Sequence, residues 1–171
     1  MSWLKAINPG APINGEAEAK KAARASAVSI FIGVIVGIVG AAYTWMNMDA
    51  LTATATATAG GDATTAAAAE MGVQMGLYLG AALVVIQLVF ALVQWRDPKK
   101  FIAILFIVLI VLGLLMTLLT PMMADMVPNA PVTPMWQIAL SAGIMVIQLV
   151  MHIAGLRGIK ALDEIQMADA R

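Results

Sequence analysis

Residues 101–120 read FIAILFIVLIVLGLLMTLLT, an apolar run interrupted by only two threonines and preceded by Lys99 and Lys100. A helix of about 20 residues rises about 30 Å, which matches the thickness of the hydrocarbon core of a bilayer. Its bulky apolar side chains leave no polar face for water, and a helix that is hydrophobic all round is a buried or membrane-spanning one. The segment therefore predicts a transmembrane helix.

Three other stretches have a similar length and character, namely 25–46, 71–95 and 135–156. Hydrophobic residues make up 61% of the chain and charged residues 12%, well outside the range of soluble domains. The sequence thus predicts an all-α membrane protein with four transmembrane helices. Five other segments complete the chain: a leader (1–24), an Ala/Thr-rich outer loop (47–70), a turn (96–100), a Pro-rich outer loop (121–134) and a tail (157–171).

The distribution of charge predicts the orientation. All ten Lys and Arg residues lie in the leader, the turn or the tail, and the two outer loops carry acidic residues but no base. By the positive-inside rule, both termini and the turn are cytoplasmic. The alanine-rich composition and this strict segregation favour a multi-pass protein of a bacterial inner membrane, with the lipid bilayer as its surroundings.

The connecting segments carry their own signals. In the first outer loop, Thr52, Thr54, Thr56 and Thr58 alternate with alanine, and we interpret this loop as weakly ordered and outside the membrane. Prolines in the second outer loop favour an extended crossing. In the leader, the run from Asn8 to Pro12 breaks any helix, and a new helix is expected from Glu16 into the first span.

An internal repeat relates the second span to the fourth. A shift of 61 positions places Val85–Val89 on Val146–Val150, both reading VIQLV, and it places Arg96 on Arg157. The two spans cross the membrane in the same direction. These matches predict a duplicated two-helix hairpin with parallel pseudo-symmetry.

Small and polar residues mark one face of each of three spans. Small residues allow close helix packing, and a Gln amide in lipid needs a hydrogen-bond partner. Matching faces on spans two and four suggest that these helices face each other or a common partner. A polar translocation path remains the alternative interpretation. The expected packing residues are Gly33, Gly37, Gly72, Gly76, Gly80, Gln87, Gln94, Ser141 and Gln148.

His152 is the single histidine, and it lies in the fourth span near its cytoplasmic end. A neutral imidazole at this depth could ligate a haem iron or the magnesium of a (bacterio)chlorophyll. The segment from Gln148 to Leu156 resembles the pigment-binding helix of light-harvesting polypeptides, although Gln148 stands where that family has a small residue. The competing interpretation is a hydrogen-bonded structural histidine, with no cofactor and no metal.

Several function classes are disfavoured. The spans contain no Asp, Glu, Lys or Arg, which argues against a proton- or ion-coupled transporter, including the small multidrug transporters with a carboxylate in the first helix. Cysteine is absent, and the sequence contains no nucleotide-binding loop or nucleophile–base pair. No enzyme activity and no nucleic-acid partner are expected.

The leading hypothesis is a non-catalytic accessory or scaffold subunit that binds other membrane protein subunits by helix packing. Two alternatives stay open. One is a small passive channel or transporter lined by Gln87, Gln148 and His152, and the other is a haem- or (bacterio)chlorophyll-binding subunit that uses His152.

Overall fold

The computed structural model describes residues 2–58, 62–124 and 133–170, in which all regular secondary structure is helical. The six helices are α1 (Trp3–Ala6), α2 (Glu16–Met46), α3 (Met48–Thr58), α4 (Ala63–Arg96), α5 (Lys100–Ala124) and α6 (Met135–Asp169). Four of them, α2, α4, α5 and α6, are long and apolar enough to cross a membrane. The prediction of an all-α chain with four candidate spans is therefore confirmed.

Local sequence signals explain where the helices begin and end. Gly15 precedes α2 with a φ of 111°, a conformation that favours glycine, and the first turn of α2 carries Glu16 and Glu18 at the positive end of the helix dipole. The helix start predicted at Glu16 is confirmed. Helix α4 ends at Arg96, directly before Asp97 and Pro98. Helix α6 continues without a break to Asp169, so most of the predicted tail extends the fourth span.

The structure differs from our interpretation of residues 47–70 as a weakly ordered loop. Residues Met48–Thr58 form α3, and α4 begins at Ala63. Alanine has the highest helix propensity, and threonine can satisfy its hydroxyl within a helix. Here Thr54 donates to the carbonyl of Ala50 at 2.8 Å, and Thr56 donates to that of Ala53 at 3.0 Å. The alternation of Ala and Thr is therefore compatible with a helix.

The second predicted loop also starts later than expected. Helix α5 continues through Pro121 to Ala124, and a proline this close to the last turn removes only one helical hydrogen bond. Residues 125–132 lie outside the described part of the chain, so the predicted extended crossing at Pro128 and Pro131 stays a prediction. Pro134 is the N-cap of α6.

Helix α2 is the centre of the packing. It contacts α4 along one side and α6 along another, whereas α5 packs mainly on α6 and α3 packs on α4. Of the two predicted arrangements for spans two and four, the structure has the one with a common partner, which is α2. Near the short link between α4 and α5, the rings of Phe90 and Phe106 meet edge to face with centroids 5.9 Å apart.

Among the described residues, most of the buried ones lie toward one end of the bundle. We call this end the basic end, because Arg24, Arg96 and Arg157 lie there, and we call the opposite end, where α3 lies, the far end. The buried residues of α2 stop at Val34. At the basic end the backbones of α2 and α6 touch, and a Cβ on Gly155 would lie 2.5 Å from Ser26 Cβ. Such a contact requires glycine.

Candidate functional site

Helices α2 and α6 are joined by a reciprocal pair of hydrogen bonds. The Ser29 hydroxyl donates to the Gln148 carbonyl at 3.0 Å, and the Gln148 amide nitrogen donates to the Ser29 carbonyl at 3.1 Å. Both side chains are buried. The Gln148 amide therefore has the partner that an amide in lipid requires, and that partner belongs to α2.

A second network extends from His152 to the basic end. His152 Nδ1 is hydrogen-bonded to the Ser26 hydroxyl at 2.8 Å, and the Gln94 amide nitrogen donates to the same hydroxyl at 3.3 Å. The Gln94 oxygen accepts from the backbone N–H of Lys99 at 2.9 Å, in the link between α4 and α5. One chain of hydrogen bonds thus connects α6, α2 and α4, and all three side chains in it are fully buried.

The imidazole of His152 is enclosed by aromatic and polar neighbours. It stacks on Phe106 of α5 with ring centroids 5.7 Å apart and planes 13° from parallel. Its side chain has 0% exposure, and within the described part of the chain Nε2 has no hydrogen-bond partner. His152 is therefore a buried, hydrogen-bonded residue that has one ring nitrogen left over.

A cavity of about 180 Å³ lies beside this ring. Its polar lining comes from Ser29, Gln87, Gln148 and His152, and α2, α5 and α6 supply the apolar remainder. The structure thus brings together the three residues that the channel hypothesis names. The volume is below the roughly 300 Å³ at which small-molecule pockets begin. A tetrapyrrole is larger than this cavity, so binding one there would require the surrounding helices to move apart.

A larger groove of about 960 Å³ separates α2 from α4 toward the far end, where α3 borders it. Glycines line both sides: Gly33, Gly37 and Gly40 on α2, and Gly72, Gly76 and Gly80 on α4. The groove narrows at Gly37, where an added Cβ would lie 2.6 Å from Val84 Cγ2. Gly33 and Gln87 line both the groove and the cavity, so the two spaces adjoin.

The predicted packing residues fall into two groups. The first group lies in contacts between helices and consists of Gly33, Gly37, Gln94 and Gln148. For example, an added Cβ on Gly33 would lie 3.2 Å from Gln148 Nε2. The second group makes no such contact in the described part of the chain. An added Cβ on Gly72, Gly76 or Gly80 would meet nothing within 4 Å.

The two remaining predicted residues are polar. Ser141 is half-buried, and Gln87 lies between the groove and the cavity; neither has a side-chain hydrogen bond within the described residues. Ser26, by contrast, was not among the predicted packing residues. The available signal was its hydroxyl, which lies one helical turn from Ser29 in an otherwise apolar span and so needs a partner.

The leader covers the basic end of the bundle. Trp3 stacks on Trp95 with ring centroids 6.1 Å apart, and Lys21 and Arg24 lie over the Trp3 and Trp95 rings, respectively. Arg157 donates to the carbonyl of Pro9. The leader therefore binds this chain's own helices.

The carboxylate of Glu18, in the first turn of α2, accepts a hydrogen bond from the Asn14 N–H at 2.9 Å, and this bond lowers the pKa of Glu18. Lys5, 3.6 Å away, lowers it further.

Comparisons with known proteins give no relative from which a function could be transferred. No protein-family model matches the chain, and neither the curated proteins nor the solved structures contain a significant match. Any inference about function therefore rests on the geometry described above.

Proposed function

We propose that this chain is a non-catalytic accessory or scaffold subunit that holds a transmembrane helix of a larger membrane complex in the groove between α2 and α4. The observation that carries the proposal is the uncovered glycine face of α4. The face carries three glycines at four-residue spacing, Gly72, Gly76 and Gly80, and a Cβ added to any of them would meet no atom of the described residues within 4 Å. In membranes, such small-xxx-small faces are where helices approach one another.

The dimensions of the groove suit this occupant. From Gly72 to Gln87 it follows about 22 Å of helix α4 at 1.5 Å per residue, which is most of a hydrocarbon core. Glycine on both walls would let a partner backbone approach closely, and van der Waals contact at short range is the main force between helices in lipid. Bulky residues dominate the exposed surface of α5, which suits lipid better.

The orientation belongs to the same proposal. We place the basic end and both termini in the cytoplasm, and α3 on the outer side of a bacterial inner membrane, because the basic residues are confined to one end. The chain has no cysteine, so Thr56→Cys introduces a unique thiol. A membrane-impermeant reagent should label it from outside; labelling from the cytoplasmic side alone would reverse the orientation.

A duplicated hairpin is also part of the proposal. The 61-residue shift places the buried α4 residues Leu77, Ala91 and Gln94 on Ile138, His152 and Gly155 of α6, which are buried as well. Shared burial at aligned positions supports a common origin of the two hairpins better than matches between apolar residues do. If the hairpin is duplicated, a crystal structure should show the α2–α4 and α5–α6 pairs crossing with the same hand; opposite hands would reject duplication.

Co-migration tests the function. The tagged chain, gently extracted from its native membrane, should run on a native gel with a much larger assembly whose members mass spectrometry identifies. Gly76→Leu should abolish co-migration by filling the groove. Gly143→Leu is the matched control, because Gly143 is an open glycine of α6 outside the groove. Migration of the wild-type chain alone, or equal behaviour of the two variants, would defeat the proposal.

The passive channel remains the second candidate, favoured by the cavity that Gln87, Gln148 and His152 share. A channel should conduct or exchange solute after reconstitution of this chain alone, and Gln87→Leu should reduce that flux by removing a polar group from the path. An accessory subunit should show no flux by itself.

A further inference from the structure

The groove between α2 and α4 is lined by glycine and apolar residues, with polar side chains at Thr44, Thr54 and Gln87. A threonine hydroxyl can bond to a carbonyl of its own helix, as that of Thr54 does with Ala50 at 2.8 Å. Gln87 differs from Thr54. Its side chain is half-buried, and its amide has no hydrogen bond within the described part of the chain. The groove therefore contains an amide that needs a partner.

The depth of Gln87 limits what that partner can be. Arg96, at the end of α4, follows Gln87 by about 14 Å of helix at 1.5 Å per residue. The hydrocarbon core of a bilayer is about 30 Å thick, so Gln87 lies near its middle. Lipid headgroups lie outside this core, and an amide without a partner inside it is costly. The partner must therefore come from a protein.

The groove also limits which group of a protein can reach the amide. The backbone of a helix that enters the groove is already hydrogen-bonded within that helix, so only its side chains are available. A charged side chain at this depth would need an opposite charge, and the spans 25–46, 71–95, 101–120 and 135–156 contain no Asp, Glu, Lys or Arg. An uncharged amide or hydroxyl meets both conditions.

We propose that the helix held in the groove carries a serine, threonine, asparagine or glutamine near the middle of its span, at the level of Gln87. The inference rests on the proposed function, because it requires a helix in the groove. The glycines from Gly72 to Gly80 permit close approach but select no particular sequence. The Gln87 amide adds one fixed point, and a single polar contact in an apolar interface sets the register of two helices.

Photo-cross-linking in the native membrane identifies the residue opposite Gln87 without altering its amide. A diazirine amino acid close to leucine in size replaces Leu83, which lines the groove one helical turn from Gln87. The matched control is the same replacement at Leu79, an exposed position of α4 outside the groove. We expect position 83 to cross-link the partner helix within one turn of a serine, threonine, asparagine or glutamine, and position 79 to leave that helix unlabelled.

Two results of this experiment would overturn the inference and leave the accessory role standing. One is a cross-linked turn that contains only apolar residues. The other is a chain that co-migrates with its complex and yet gives no cross-link from position 83. Failure of the wild-type chain to co-migrate would instead defeat the proposed function.

Variants measure the contribution of the amide. Gln87→Leu should weaken association with the partner about 3- to 30-fold, the range expected for one interhelical hydrogen bond. Gln74→Leu makes the same chemical change at an exposed position of α4 outside the groove and should leave association unchanged. Replacement of the partner's polar residue by leucine should match Gln87→Leu, and the two changes together should add little, because each removes the same bond.

Equal association of the Gln87→Leu and Gln74→Leu chains would overturn the inference. Thermal unfolding of each isolated variant shows whether its fold is intact. If Gln87→Leu does not fold, the cross-link from position 83 decides, since that chain retains the amide.

Discussion

The contact of α2 with α6 and its contact with α4 use the same kinds of residue in different ways. Against α6, small and polar residues contact one another directly: Gly155 touches Ser26, and Gln148 exchanges hydrogen bonds with Ser29. Against α4, contact continues only to Gly37 and Val84, and beyond them the glycines border an open groove. A small-xxx-small face therefore predicts a capacity for close approach, and it does not identify the helix that approaches.

The difference has a physical cause. Lipid chains are as apolar as leucine, so no hydrophobic force closes two helices on each other in a bilayer, and close packing with interhelical hydrogen bonds must do so. The hydroxyl, amide and imidazole groups that form hydrogen bonds between helices are concentrated toward the basic end. The glycines of α4 toward the far end lack such polar partners, which leaves that surface available.

The largest effect expected from this comparison is a difference between two glycines. Gly155→Leu should destabilise the bundle by about 3 kcal/mol or more, because a Cβ there lies 2.5 Å from Ser26 Cβ and the backbones must separate. Gly76→Leu should cost the isolated chain no more than about 0.5 kcal/mol, since nothing lies within 4 Å. Reversible unfolding in lipid or detergent measures both. Equal costs would mean that α4 closes on a neighbour at Gly76.

An intermediate effect is expected for the side-chain amide of Gln148. Gln148→Leu should lower the free energy of unfolding by about 0.6–2 kcal/mol, because the Ser29 carbonyl loses its side-chain donor. Gln74→Leu, at an exposed position of α4, should lower it by much less. The same unfolding assay applies to both variants. A larger loss for Gln74→Leu would contradict the assignment of stability to the α2–α6 contact.

The smallest effect is expected at the far end, where Asp62 caps α4. Its carboxylate accepts from the Thr65 hydroxyl at 2.6 Å and from the Thr65 N–H at 2.9 Å, and these bonds lower the pKa of Asp62. A carboxyl group whose pKa is lowered in the folded state stabilises the fold at pH values above its ordinary pKa. This contribution is lost as the pH falls through the lowered pKa. At neutral pH, Asp62→Ala should accelerate hydrogen exchange at the Thr65 amide.

Two controls sharpen that measurement. Glu70→Ala removes an exposed carboxylate from the same helix and should leave the Thr65 exchange rate unchanged. In the wild-type chain, protection at Thr65 should decline on acidification, after correction for intrinsic exchange. Protection that is independent of pH would show that the cap contributes nothing to this turn.

Several features could be predicted from the sequence because they depend on local signals. Length and hydropathy define the four candidate spans, and the break before Glu16 follows from Asn8, Pro9 and Gly10. The need of Gln94 and Gln148 for partners was also predictable, since an amide is costly to bury alone. That both amides bond to residues of α2 could not be predicted. Which helix lies between two others depends on contacts distant in sequence, and periodicity does not report them.

The errors have equally physical origins. Helix α3 was missed because threonine alternation was weighed above alanine propensity, although each Thr hydroxyl can bond within its own helix. The packing role of Gly76 and Gly80 stays a prediction, because no described residue of this chain lies within 4 Å of a Cβ added to either. Ser26 was missed because one hydroxyl carries little signal until His152 and Gln94 are known to meet there.

The docking of the leader has a consequence for the order of events during synthesis. Pro9 accepts a hydrogen bond from Arg157, and the two residues are 148 positions apart in the chain. At about 5–20 residues per second, the ribosome takes roughly 7–30 s to travel between them. For that interval the leader is without Arg157, and it acquires this last contact only when the fourth span has been made. Limited proteolysis at residues 7–15 can therefore measure when the leader docks. We expect a protease to cut this segment in unfinished chains and to leave it intact in completed ones.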